Sequence, residues 1–402
     1  MAIEPKPYID WATDYDIFDA DYVRDPFPVW DELRDKCPIA HTDRWAGSWL
    51  PTRFEDVFAI AHDHNHFSSR SITVTAVAPP TAGDYGVRAM PISVDQPDHT
   101  WSRKLLLPAF NLKSVEKWEP ITRELCRSLI DGFVSKGRAD AAAGYAQQIP
   151  VRVIAGMLGV PADMSDTFTG WVRGVLEIGL TNPEERIKNR QAIIAFFREC
   201  LAERRANPGH DLISELATAE VDGHPVKDDD IVGMCTLLLI AGIDTTWSAI
   251  GSSLWHLATH EEDRRRLAAE PALMDTAVEE LLRAYAPVTM ARIVNEDIEV
   301  GGCPMKAGDR VLMNFPGANR DPEKFERADE FVIDRAKNPH IAFGVGIHRC
   351  VGSNLARMEV RVALEEWMAR IPEFTLEDPA TVTWAGGQVR GPRQCFVVFP
   401  AK

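Results

Sequence analysis

The chain has 402 residues, 45% hydrophobic and 26% charged, which is ordinary globular composition. Its formal charge of −16 repels nucleic-acid backbones and anionic bilayers, so no partner of either kind is expected. Seven cysteines include no CxxC pair, which removes zinc and thioredoxin-like readings, and the odd count suggests reduced thiols in a cytoplasmic setting.

The opening stretch, MAIEPKPYIDWATDYD, has neither a basic start nor an apolar run, and no secretory leader is read there. Ser71–Ser93 is a long connection rich in Pro, Gly and Thr, a kind of loop that is usually functional or disordered. Residues 111–137 carry apolar positions at helical spacing and end on Gly137. Residues 183–209 repeat that logic and stop at Asn207-Pro208-Gly209.

Residues 231–258 form the most apolar segment, and it needs a membrane check. Asp244, Thr245, Thr246 and Ser248 interrupt its middle, and a central Asp is costly in a bilayer. A helix buried inside a large protein fits better, with the polar residues where it meets something. Residues 271–285 predict a further helix, opened by Pro271 and closed before Pro287. Strand signals are few: two short strands over 298–315 and one in CFVVFP near the end. The expectation is a mainly α fold with a small β region, in a single domain over 1–402.

The segment that decides the chemistry is His340–Gly352, HIAFGVGIHRCVG. Glycines 344, 346 and 352 permit positive φ and close approach of another body. Cys350 then sits where a helix starting near Gly352 would turn its positive end and its N–H groups toward the sulfur. That pattern suits a lone anionic sulfur ligand or nucleophile better than an ordinary buried thiol. Three further sets of residues stand out. Glu280 and Arg283, in EELLR, share one helix face. AGIDTT places Gly242 and Thr245 where a weak, back-bonded turn can bend the apolar helix. His99 and Arg103 lie four apart, stacked on one face.

Phe343, Gly346, His348, Cys350 and Gly352 resemble, position for position, the haem-binding signature of the cytochromes P-450, the haem-thiolate monooxygenases, here of the soluble bacterial kind. The likeness runs from about Pro26 to the last strand. It implies haem b with Cys350 as the proximal iron ligand, with Phe343 beside the sulfur and Gly344 in the same loop. His99, Arg103, Arg292 and His348 would meet the haem propionates. Glu280, Arg283 and Arg335 would form a structural lock behind the loop. Ala241, Asp244 and Thr245 match the distal oxygen-binding motif, in which Thr245 hydrogen-bonds oxygen and Asp244 relays protons.

By the same resemblance, Leu237, Ile240, Val288, Thr289 and Val389 would line the substrate pocket, with parts of the Ser71–Ser93 loop. These residues are mostly small and apolar and offer no cation for a carboxylate. A compact neutral substrate follows, a small aromatic or a terpenoid, hydroxylated or O-demethylated with O2. No flavin or iron–sulfur module is read in the chain. Electrons, ultimately from NAD(P)H, are therefore expected through a separate ferredoxin-type carrier and its reductase. Lys104, Lys113, Arg349 and Arg357 would form the basic face that steers that carrier. A haem-thiolate peroxygenase using H2O2 would show a replaced acid–alcohol pair, whereas Asp244-Thr245 is intact. A haem sensor would need a signalling appendage, and none is read.

Overall fold

Prolines and short polar caps set the helix starts in this chain, and the computed structural model describes residues 9–76 and 87–401. Eleven helices of eight or more residues dominate the described part. They are α1 (Phe27–Lys36), α2 (Phe54–His62), α3 (Asp98–Leu106), α4 (Glu119–Asp131), α5 (Gln148–Leu158) and α6 (Ser165–Leu176). The series continues with α7 (Pro183–Ala206), α8 (Asp228–Thr259), α9 (Glu261–Ala269), α10 (Met274–Ala284) and α11 (Ser353–Arg370). The fold is mainly α with a small β region, as the sequence predicts.

Local chemistry explains the boundaries. Asn182 caps α7 by accepting the Glu185 N–H at 3.3 Å, with Pro183 in the first turn where no N–H is needed. The helix expected over 111–137 is instead broken: Leu112–Glu116, then α4, then a short turn closed by Gly137 at φ +65°. Pro120 explains the break, since it starts a new helix more readily than it continues one. The run from 271 begins as a 3₁₀ turn, Pro271–Leu273, before α10.

Helix α8 is long and apolar enough to cross a bilayer, but 78% of its apolar window is buried inside the protein. It packs against α5, α6, α7 and α11 and forms the axis of the helical core. Gly242 serves that packing. A Cβ there would lie 3.1 Å from Ile154 Cγ1 of α5, so its lack of a side chain brings two helices together. The helix is continuous through this point.

A five-stranded sheet runs in the order Ile39–Thr42, Ser48–Pro51, Arg310–Met313, Met290–Val294 and Phe67–Ser68. Only the Ser48–Pro51/Arg310–Met313 pair is parallel. Along Arg310–Met313 the side chains alternate. Val311 and Met313 join one apolar cluster with Val294 and Phe315, and Leu312 joins the other with Leu50 and Ala291. Where two strands were expected over 298–315 there are three, because Ile298–Val300 and Cys303–Met305 pair as their own hairpin. CFVVFP supplies Phe396–Val398, which pairs with Thr375–Leu376 and Arg138–Asp140. Of the Ser71–Ser93 connection, residues 77–86 lie outside the described residues, and the rest is irregular.

Candidate active site

The cysteine loop is folded by its own backbone. The Cys350 N–H donates to the Phe343 carbonyl at 2.8 Å, and the Gly344 N–H to Ile341 at 2.9 Å. Gly346, at φ +72°, is required twice over, since a Cβ would stand 2.7 Å from the Ala61 carbonyl oxygen. Cys350 is accessible, yet it lies deep enough that desolvation pushes its thiol pKa up, so it faces an interior cleft and not bulk water. The Gly352 N–H and the charges of Arg103, Arg349 and Arg357 pull the other way. Gly352 caps α11, which begins at Ser353. Phe343 lies beneath Arg357, whose guanidinium carbon is 4.4 Å from the ring centre.

Around that sulfur the structure gathers positive charge. His99, on the first turn of α3, is buried, meets His348 edge to face at 4.3 Å between ring centres, and has neither ring nitrogen hydrogen-bonded. His348 Nε2 is likewise without a partner. Arg103 donates to the Arg349 carbonyl at 2.6 Å, which ties α3 to the cysteine loop. Arg292, in the central strand Met290–Val294, is buried and donates only to the neighbouring Ala291 carbonyl at 2.9 Å. Desolvation, then the charges of Arg292, His99 and Arg103, hold the His348 imidazole down at about 2. Burial holds Arg292 down at about 10, with Asp95 opposing it. A buried guanidinium without a carboxylate, next to imidazole nitrogens without partners, needs an anionic acceptor. The two propionates of haem match that demand, so the residues present fit the group that the cysteine loop implies.

Behind the loop, Glu280 is fully buried and takes Arg283 as a fork, at 2.8 Å to each oxygen. Arg335 adds 2.9 Å, Asn338 3.2 Å and the Val332 N–H 2.8 Å. Arg283 spends its remaining donors on the carbonyls of Asn319, Ala328 and Glu330. Burial would raise the Glu280 pKa, but these bonds hold it below the usual carboxylate range. A neighbouring cluster was not foreseen: Glu279 receives Arg357 at 2.6 and 2.9 Å and His340 at 2.9 Å. Arg357 is thereby neutralised and stacked on Phe343, which corrects its expected place in a free basic face. Lys104, Lys113 and Arg349 are exposed, and so are Leu107 and Leu112 beside them.

On the other side, α8 is buried from Ile231 to Leu254 except along one stripe. Leu237, Ala241 and Thr245, four residues apart, are the partly open positions, with Gly242 next to them. The Thr245 hydroxyl donates to the Ala241 carbonyl at 2.8 Å. Asp244 is buried, and one of its oxygens lies 2.7 Å from Arg393, which also reaches Glu177 at 2.9 Å and the Ser248 hydroxyl at 3.2 Å. Glu177 in turn meets Arg173 at 2.7 Å, and Arg173 is partly exposed. Desolvation raises the Asp244 pKa against the pull of Arg393. Arg393 was invisible in the sequence as a partner of Asp244, because 149 positions separate the two and no local period links them.

A cavity with about 580 Å³ of empty space, mouth included, opens beside this stripe. Leu237 and Ile240 line it, together with Ile72, Val175, Leu176 and Ala89. Gln388, at the end of the turn at Gly387, lines it where Val389 was expected. Val389 instead bridges to Val288, and Thr289 lines a separate pocket with Tyr22, Trp30 and Arg390. The expectation of a wall without cations is overturned. Arg70, Arg186 and Arg190 all line the cavity.

The family model for cytochrome P-450 matches residues 171–380. This chain is a cytochrome P-450. It is 34% identical over 377 residues to the mycinamicin IV hydroxylase/epoxidase of Micromonospora griseorubida, covering 92% of this chain and 94% of that protein. It is 36% identical over 347 residues to the nocardicin C N-oxygenase of Nocardia uniformis subsp. tsuyamanensis, covering 85% and 86%. The solved structure of the bacillaene polyketide synthase P-450 PksS of Bacillus subtilis superposes with a TM-score of 0.88 at 30% identity, over 96% of this chain and 99% of that one. The chain is therefore a haem-thiolate monooxygenase that uses O2.

Proposed function

We propose that this P-450 inserts one oxygen atom into a compact, mostly apolar organic molecule, by hydroxylation or oxidative O-demethylation, as a single haem domain working in the cytoplasm. Electrons come from NAD(P)H through a separate ferredoxin-type carrier and its reductase. The observation that carries this reading is the cluster of His99, Arg103, Arg292 and His348 beside the accessible Cys350 sulfur, in which, among the described residues, buried Arg292 has no carboxylate partner and the His99 ring nitrogens and His348 Nε2 have no hydrogen bond. Haem b, when bound, supplies the activation of O2.

The chain's own residues do the rest. Cys350 would hold the iron through its thiolate, which the Gly352 N–H and the charge of Arg103 favour. Gly344 and Gly352 keep the loop low, and Phe343 shields the sulfur. Thr245 turns its hydroxyl, now on Ala241, toward oxygen in the cleft. Asp244 holds a proton readily because it is buried, and Arg393, Glu177 and Arg173 connect it to the surface. The carrier docks where Lys104, Lys113 and Arg349 surround exposed Leu107 and Leu112. Reconstitution with NADH, a ferredoxin and its reductase tests this reading. Substrate-dependent product should form, and Cys350→Ser should abolish it. Turnover with H2O2 alone at an equal rate, and none with the carrier, would contradict it.

A further inference from the structure

Two cysteines far apart in sequence meet at one carbonyl. Cys37 ends α1, and its N–H closes that helix on the Leu33 carbonyl at 2.8 Å. The Cys37 thiol donates to the Ile39 carbonyl at 3.6 Å, and the Cys303 thiol donates to the same oxygen at 3.8 Å. The two sulfurs are therefore no farther apart than those two distances together. Ile39 has that oxygen to spare because it lies on the edge strand Ile39–Thr42, opposite Pro51, which has no N–H to give it. The hairpin of Ile298–Val300 and Cys303–Met305 brings up the second thiol. Its turn residues Gly301 and Gly302 are both at positive φ, and a Cβ on Gly301 would lie 2.9 Å from Ile39 Cδ1. Both cysteines are partly exposed, so a small oxidant reaches them. Desolvation, then Cys37, Asp56 and Glu299, push the Cys303 thiol pKa up, so Cys303 keeps its proton and reacts slowly on its own.

We propose that Cys37 and Cys303 are a redox modification site, which hydrogen peroxide closes into a reversible disulfide. The Cys37 thiolate takes one oxygen from the peroxide and becomes a sulfenic acid, and the hydroxide released picks up a proton to leave as water. Cys303 then attacks that sulfur. The S–S bond forms, the S–O bond breaks, and a second water leaves with the Cys303 proton. Two thiols and one peroxide thus give one disulfide and two waters, and the two electrons pass from sulfur to oxygen. The slow thiol can act as the second partner because it is already held at the same carbonyl as the first. Both side chains turn away from Ile39 to bring the sulfurs to bonding distance, about 2.05 Å. The bond ties the end of α1 to the hairpin across a long stretch of chain. A small-molecule thiol reverses it by exchange, so in a reducing compartment the pair rests as two thiols.

The test exposes the haem-loaded protein to hydrogen peroxide, quenches it with catalase, alkylates the remaining thiols under denaturing conditions and maps the tryptic peptides by mass. Before exposure, Cys37 and Cys303 should both take the label. After it, the two labels should be lost in step, and the peptides ending at Arg44 and Lys306 should appear joined. Dithiothreitol should separate them and restore both labels. Cys37→Ser should leave Cys303 labelled under the same exposure, since Cys303 depends on its partner for oxidation. Joined peptides in the unsubstituted chain need no variant to be seen, so a variant that folds poorly does not decide the matter. Three results would overturn the proposal. One is sulfinic acid on either cysteine with no joined peptide. Another is a covalent dimer through Cys37 or Cys303 in place of the bond within one chain. The third is a Cys303 label lost as fast in Cys37→Ser as in the parent.

Discussion

Two charged clusters flank the cysteine loop, and they are built on opposite principles. Around Glu280 both carboxylate oxygens are taken, and Arg283 distributes its donors over one carboxylate and three carbonyls. Around His348 the facing cations outnumber the one carboxylate, Asp95, three imidazole nitrogens lack a partner, and burial pushes His99, Arg292 and His348 toward their neutral forms. The first cluster is complete within the chain. The second is complete only with an anion. Charge that is satisfied internally holds a fold together, whereas charge left open in the interior marks where a ligand belongs.

The comparison breaks most sharply at Glu280. Glu280→Ala would strand Arg283 and Arg335 in the interior, and loss of such a partner costs about 3–5 kcal/mol. Denaturant unfolding of the haem-free and haem-loaded proteins should show that loss equally, because the cluster owes nothing to the ligand. Arg292→Leu should behave in the opposite sense. Removing one of several crowded cations should leave haem-free stability unchanged or about 1 kcal/mol higher, while haem retention falls about tenfold or more. Haem transfer to an acceptor protein measures the second effect. A haem-free protein destabilised as much as Glu280→Ala would erase the distinction.

A third cluster sharpens the comparison through pH. Burial works against ionisation of Glu279, yet its bonds from His340 and Arg357 hold the carboxyl at about 2, against an ordinary 4.5. A depressed carboxylate stabilises the fold above its unfolded pKa and loses that contribution as pH falls. Stability carried by Glu279 should thus be full above pH 4.5 and disappear between 4.5 and about 2. Glu279→Gln should flatten that part of the stability–pH curve. The smallest effect belongs to Thr289, whose pocket is separate from the cavity beside α8. Thr289→Val should leave ligand-induced changes in the haem band within twofold of the parent, as an ordinary substitution outside the site does.

How much of this was readable in the sequence depends on the reach of the contact. The cysteine loop and the Glu280–Arg283 pair are local patterns, whose spacing of a few residues already fixes which atoms meet. Arg335 and Arg292 needed the family likeness, since nothing in their neighbourhoods announces a partner. Arg393 with Asp244 and Arg186 with Thr73 are long-range meetings that no period encodes. Nothing in the local sequence of α7 separates Arg186 and Arg190 from its other charged residues, and only their contacts with Thr73 and Val87 mark them as inward-facing. Gln388 rather than Val389 lines the cavity because the turn at Gly387 sets which side chain faces in, and no sequence period encodes that.

The most direct test of the open cluster compares haem with haem whose two propionates are methyl-esterified, each titrated into the haem-free protein. If His99, Arg103, Arg292 and His348 are there to hold the propionates, the diester should bind about a hundredfold or more weaker, and Arg292→Leu should narrow that gap. Equal affinity for the two, with Arg292→Leu affecting both alike, would mean that the cluster serves something other than the cofactor.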